Sequence, residues 1–125
     1  MKANLILALL IIVGVSSCYY DNSEELYPEL QSGCDTTAVT YSTTIAPMLS
    51  SYCLGCHSNA SANSFGGGIK LENYADVKTV VDNGKLVGAI KQLSGYSPMP
   101  KNAGKLSDCK ISQLDIWVNG GAANN

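Results

Sequence analysis

The chain has 125 residues, enough for one domain with a modest core. It carries eight lysines, no arginine and ten acidic residues, for a net charge of −2. That balance excludes the basic, Arg-rich surface used to bind nucleic acid, and nothing in it points to a second domain or to repeats.

The chain opens Met1-Lys2-Ala3-Asn4, and an apolar run follows from Leu5 to Val15. A basic start before a short apolar run reads as a secretory signal, 1–17. The run is too short to span a membrane, which takes about 20 residues. Val15-Ser16-Ser17-Cys18 resembles a bacterial lipobox, which implies cleavage before Cys18 and lipid on that cysteine. Residues 18–37 hold Asp21, Glu24, Glu25, Glu29 and Asp35 and no lysine, so they read as a solvated acidic tether.

The first predicted helix lies within Thr43–Tyr52. Ser42, Thr43 and Thr44 are candidate caps, and Pro47 fits near the start. Ile45, Met48, Leu49 and Tyr52 share one apolar face. This helix runs into Cys53-Leu54-Gly55-Cys56-His57. A loop through Gly66-Gly67-Gly68 follows, and it lacks the Gly-Lys-Ser/Thr ending of a phosphate-binding loop. The second helix spans about Glu72–Asn83, with Asn73 as N-cap and Asp76 near a capping-box position. Tyr74, Val77, Val80 and Val81 form its apolar face, and Gly84 stops it. A short third helix covers Lys85–Gln92, with Leu86, Ile90 and Leu93 inward. The fourth runs from Asp108 to Asn119 behind Ser107, with Ile111, Leu114 and Val118 in one stripe and Trp117 beside it. No alternating run is long enough for a sheet. The expectation is an all-α fold of four short helices with long loops, which need something to pack against. A large apolar cofactor would supply it.

Cys-x-x-Cys-His admits three readings: a redox dithiol, part of a zinc site, or a haem attachment site. The dithiol reading expects a βαβ pattern, which is absent. A zinc site needs four ligands, so Cys53, Cys56 and His57 would have to recruit Cys34 or Cys109. In the haem reading the Cys53 and Cys56 thiols add to two vinyl groups as thioethers, and His57 becomes the proximal iron ligand. His57 is the only histidine. A candidate sixth ligand stands 42 residues on, in Ser97-Pro98-Met99-Pro100. Ser97 and Met99 each precede a proline and are pushed toward extended conformations, so the loop is stiff and presents one thioether. Met48 is the alternative, on the helix that feeds the His57 side. There are five cysteines. With Cys18 lipidated and Cys53 and Cys56 on haem, Cys34 and Cys109 remain, either as a disulfide or as two free thiols.

Helix, Cys-x-x-Cys-His, glycine-containing loop, middle helices, Met-Pro loop and a final aromatic-bearing helix occur in this order over about Val39–Ala123. The arrangement resembles class I monohaem cytochrome c domains. SGYSPMPKNAGKLSDCKISQLDIWVNGGA is similar to the C-terminal half of such domains in small bacterial lipoproteins. The resemblance implies a haem domain over 38–125, with its first and last helices crossing near Tyr52 and Trp117. It implies one haem c, bound through Cys53 and Cys56, with His57 and Met99 on opposite faces of the iron. Tyr96 and Lys101 flank the Met loop and are candidate partners for haem propionates. With both axial positions filled, the expected function is one-electron transfer between redox partner proteins rather than catalysis. The protein would be an exported monomer, lipid-anchored to a bacterial membrane. Lys85, Lys91, Lys101, Lys105 and Lys110 bracket Met99 and suit an acidic partner. Two other classes stay open: a haem-based sensor or peroxidase-like protein with a labile Met99, and a non-haem binding lipoprotein stabilised by disulfide or zinc.

Overall fold

A computed structural model describes residues 33–125. The signal segment, Cys18 and the tether up to residue 32 lie outside the described residues. Cys34–Asn125 is one compact unit. Among the described residues all regular structure is helical and there is no strand. A π-helical turn at Tyr41–Ile45 leads into α1 (Ala46–Tyr52), followed by α2 (Leu54–His57), α3 (Ala62–Phe65), α4 (Tyr74–Asp82), α5 (Lys85–Ile90) and α6 (Asp108–Asn119).

The first helical segment starts two residues before the expected Thr43, because Thr40 is the cap. Its hydroxyl accepts from the Thr43 N–H at 3.1 Å. Pro47 sits in the first turn of α1, where its missing N–H costs nothing. The helical path bends at Cys53, whose φ of −124° leaves the helical region, yet the His57 N–H still reaches the Cys53 carbonyl at 2.9 Å. α6 matches its expected limits. Ser107 caps it by accepting from the Lys110 N–H, and Asp108 lies in its first turn.

The core is built by Ile45 and Leu49 from the first helical segment, Val77 from α4, Ile90 from α5 and Leu114 from α6, all fully buried. Each such side chain contributes roughly 1.5–3 kcal/mol by leaving water. The indole of Trp117 lies 5.6 Å from the Tyr41 ring, and Tyr41 meets Tyr74 edge-on at 5.0 Å. The expected crossing near Tyr52 and Trp117 is thereby corrected. Trp117 packs on Tyr41 at the start of the first segment, while Tyr52 is 47% exposed and lies beneath the Lys110 ammonium, 5.5 Å from it. Tyr52 precedes the bend at Cys53, so its ring leaves the face that Ile45 and Leu49 bury. Leu93 also departs from expectation and is exposed. α5 ends at Ile90, and Gln92 at a φ of +56° turns the chain outward before Leu93.

Three links hold α6 to the rest. Cys34 and Cys109 form a disulfide. The Gln113 side-chain amide donates to the Asp35 carbonyl at 2.9 Å, so residues 34 and 35 of the expected tether are fixed to this helix. On the other side, Lys91 donates to Asp115 at 2.8 Å and joins the end of α5 to α6. No helix among the described residues is long and apolar enough to cross a membrane.

Candidate functional site

Cys53, Cys56, His57 and Met99 line one open cleft of about 480 Å³. Its lining is largely apolar and includes Ile69, Leu71, Leu86 and Ile90. The volume falls in the usual range for cofactor sites, about 300–1,000 Å³. α1 and α2 deliver the two cysteines and the histidine, while the segment after α5 delivers Met99. The ligand candidates therefore come from opposite halves of the chain. Met48 is buried in the core beside Leu49 and does not reach the cleft.

His57 is 8% exposed, and its Nδ1 lies 2.9 Å from the Ile69 carbonyl. A carbonyl only accepts, so Nδ1 carries the proton and donates. Nε2 is then left with its lone pair and no partner among the described residues, and it is not a buried orphan, so it opens on the cleft that His57 lines. Such a second bond commonly fixes the orientation and basicity of a metal-binding imidazole. The loop of residues 58–71 supplies it by wrapping back on α2, where the Leu71 N–H also donates to the His57 carbonyl at 2.9 Å. Gly66 makes that wrap fit. A Cβ at this position would fall 2.6 Å from the Cys56 carbonyl oxygen and 2.8 Å from His57 Nδ1.

Cys53 and Cys56 are both free thiols, Cys56 exposed and Cys53 partly buried. Burial pushes the Cys53 thiol up to about 11. That shift disfavours the Cys53 thiolate and makes Cys53 a poor attacking thiol for a redox dithiol. The zinc reading loses its extra ligands, since Cys34 and Cys109 are bonded to each other. Among the described residues no three His, Cys, Asp or Glu side chains gather as a metal site. The arrangement suits a planar apolar group held by two thioethers. The two thiols, the imidazole and the methionine line the same hollow.

Met99 is held at its backbone, where its N–H donates to the Ala89 carbonyl at 3.0 Å. The peptide between Met99 and Pro100 is cis. Tyr96 and Lys101, the candidate propionate partners, also line the cleft, as does Lys85. A neighbouring groove of about 490 Å³ shares Tyr52 and Pro100 with the cleft and adds Lys105 and Lys110. Among the described residues no acidic side chain lines either hollow. Sequence reasoning missed the Ile69 carbonyl, the role of Gly66 and the short helices α2 and α3.

No family model, curated protein or solved structure matches the chain.

Proposed function

We propose that this protein is an exported, lipid-anchored monohaem cytochrome c of the class I type that carries single electrons between redox proteins. The observation that carries the reading is the convergence of Cys53, Cys56, His57 and Met99 on one apolar cleft, with His57 Nδ1 committed to the Ile69 carbonyl. Cys53 and Cys56 would hold haem c covalently, and His57 and Met99 would be the axial ligands. When bound, the haem supplies one-electron chemistry at its iron. The chain's own residues do the rest. Ile69 keeps the imidazole in one tautomer. Ile69, Leu71, Leu86 and Ile90 exclude water. With His57 and Met99 both engaged, no position is open to a substrate, which favours a carrier over a sensor or peroxidase-like protein. Lys101 would be the propionate partner, since the Tyr96 ring lies on Gly88 with its hydroxyl towards Gly84. The apolar run Leu5–Val15 and the lipobox-like Val15–Cys18 support export and anchoring.

The test is a reduced-minus-oxidised visible spectrum with an intact mass, on protein made in a host that attaches haem. One covalent haem and a sharp reduced alpha band are expected, with a weak thioether-to-iron band at the red edge. A colourless protein of unmodified mass would sink the reading. Prompt carbon monoxide binding by the reduced protein at neutral pH would favour the sensor class.

A further inference from the structure

α5 contains Gly88 in its interior and is preceded by Gly84, which adopts a φ of +74°. An interior helix glycine costs roughly 0.5–1 kcal/mol relative to alanine, so its place here asks for a reason. The reason is the ring of Tyr96. A Cβ on Gly88 would stand 2.6 Å from three carbons of that ring, so the ring covers the Gly88 backbone with its face. The Tyr96 hydroxyl reaches back to Gly84, where a Cβ would lie 3.6 Å away. Two backbone bonds flank this contact. The Leu93 N–H donates to the Gly88 carbonyl at 2.9 Å, and the Met99 N–H donates to the Ala89 carbonyl at 3.0 Å. The excursion from Lys91 to Met99 therefore starts and ends on the same turn of α5, with Tyr96 pressed onto it midway.

We infer that Tyr96, seated on Gly88, is the positioning residue that sets how far Met99 enters the cleft and keeps it there. The inference rests on the electron-carrier reading and deepens it: this seat is what makes the methionine a fixed ligand rather than a labile one. The ring acts by its face, which lies over the Gly88 backbone. A methyl group at Gly88 has to displace the ring, and overpacking of that kind shifts neighbouring backbone.

The experiment uses the haem-loaded protein and three changes: Gly88→Ala, Tyr96→Ala and Tyr96→Phe. Gly88→Ala and Tyr96→Ala are expected to keep covalent haem by mass and lose the thioether-to-iron band. Their reduction potentials should fall, and carbon monoxide should bind the reduced forms about tenfold faster or more. Tyr96→Phe should keep the wild-type band. The double variant Gly88→Ala/Tyr96→Ala should be no worse than Tyr96→Ala alone, because the clash partner is gone. Wild-type band and carbon monoxide resistance in Tyr96→Ala would overturn the inference. A wild-type protein with covalent haem but no thioether band would also overturn it, while leaving the attachment site intact. A wild-type protein of unmodified mass would bring down the electron-carrier reading first.

Discussion

Gly66 is selected by space rather than by backbone angle, since its φ of −99° is open to any residue. Its neighbours at sub-contact distance are the Cys56 carbonyl and His57 Nδ1, the atom that fixes the imidazole. Gly66→Ala is expected to push the 58–71 loop off α2 and weaken the bond to the Ile69 carbonyl. Overpacking costs about 1–3 kcal/mol, which thermal unfolding would register as a clear drop in Tm. A variant with unchanged Tm would mean the loop yields without strain. Cys53 carries a second prediction, for the chain without haem. Its thiol is held neutral by burial until about pH 11, against an ordinary value of 9.0. Between those values the folded chain keeps a proton that the unfolded chain releases, so stability should fall as pH rises through that window. Alkylation at pH 8 followed by peptide mapping should accordingly label Cys56 well before Cys53. The two cysteines and His57 were legible at this scale because their spacing is the signal. The Ile69 carbonyl was not, because a backbone acceptor leaves no mark on the sequence. Nor could the glycine run tell which of its three members faces the histidine.

Among the elements, α4 and α6 were legible because apolar periodicity agreed with a terminal signal, Gly84 after α4 and Ser107 before α6, although Asn73 holds the cap position of α4 without a side-chain capping bond. Ser107 and the Ile111–Leu114 spacing define α6 without help from the rest of the fold. The four-residue helices α2 and α3 escaped, being too short for a periodic pattern, and both are shaped by what they wrap. Tyr52 and Leu93 were misplaced for a related reason. Periodicity assumes that the helix continues, and both residues lie where it bends or has ended. α6 also carries the disulfide, which closes a loop across a separation of 75 residues. The chain-entropy account gives about 4.5 kcal/mol for such a loop, an upper figure. Replacing Cys34 and Cys109 together by alanine is expected to lower the stability of the domain by about 2–5 kcal/mol in urea titrations, with the midpoint moving at similar slope. An unchanged midpoint would show that Gln113 and the core hold α6 alone.

For the whole molecule, the distribution of lysines carries the partner argument. Lys78 pairs with Asp82 and Lys91 with Asp115, both away from the hollows. Lys85, Lys101, Lys105 and Lys110 line the cleft and its neighbouring groove, and among the described residues no salt bridge engages them. Under the proposed function, an acidic redox partner would be the complementary surface. The association rate with such a partner is expected to fall steeply between low and physiological salt, and stopped-flow measurement with Lys→Gln changes at 101 and 105 would show a shallower slope. A rate indifferent to salt would end the steering idea. The sequence showed the lysines as a run bracketing Met99. Only the fold shows that they surround two hollows joined at Tyr52.

The nesting of the cysteines has a consequence for how the chain is made. The Cys34–Cys109 bond encloses Cys53 and Cys56 within its loop. A chain threaded N-terminus first into an oxidising compartment presents Cys34 beside those two thiols long before Cys109 arrives. Oxidation in order of arrival would join Cys34 to a thiol destined for something else, or join Cys53 to Cys56. Under the proposed function, maturation would depend on timing: the inner pair would have to be kept reduced and capped before the outer pair closes. On that reading, overproduction that outruns haem supply should yield scrambled, colourless protein that a thiol–disulfide shuffling catalyst can rescue.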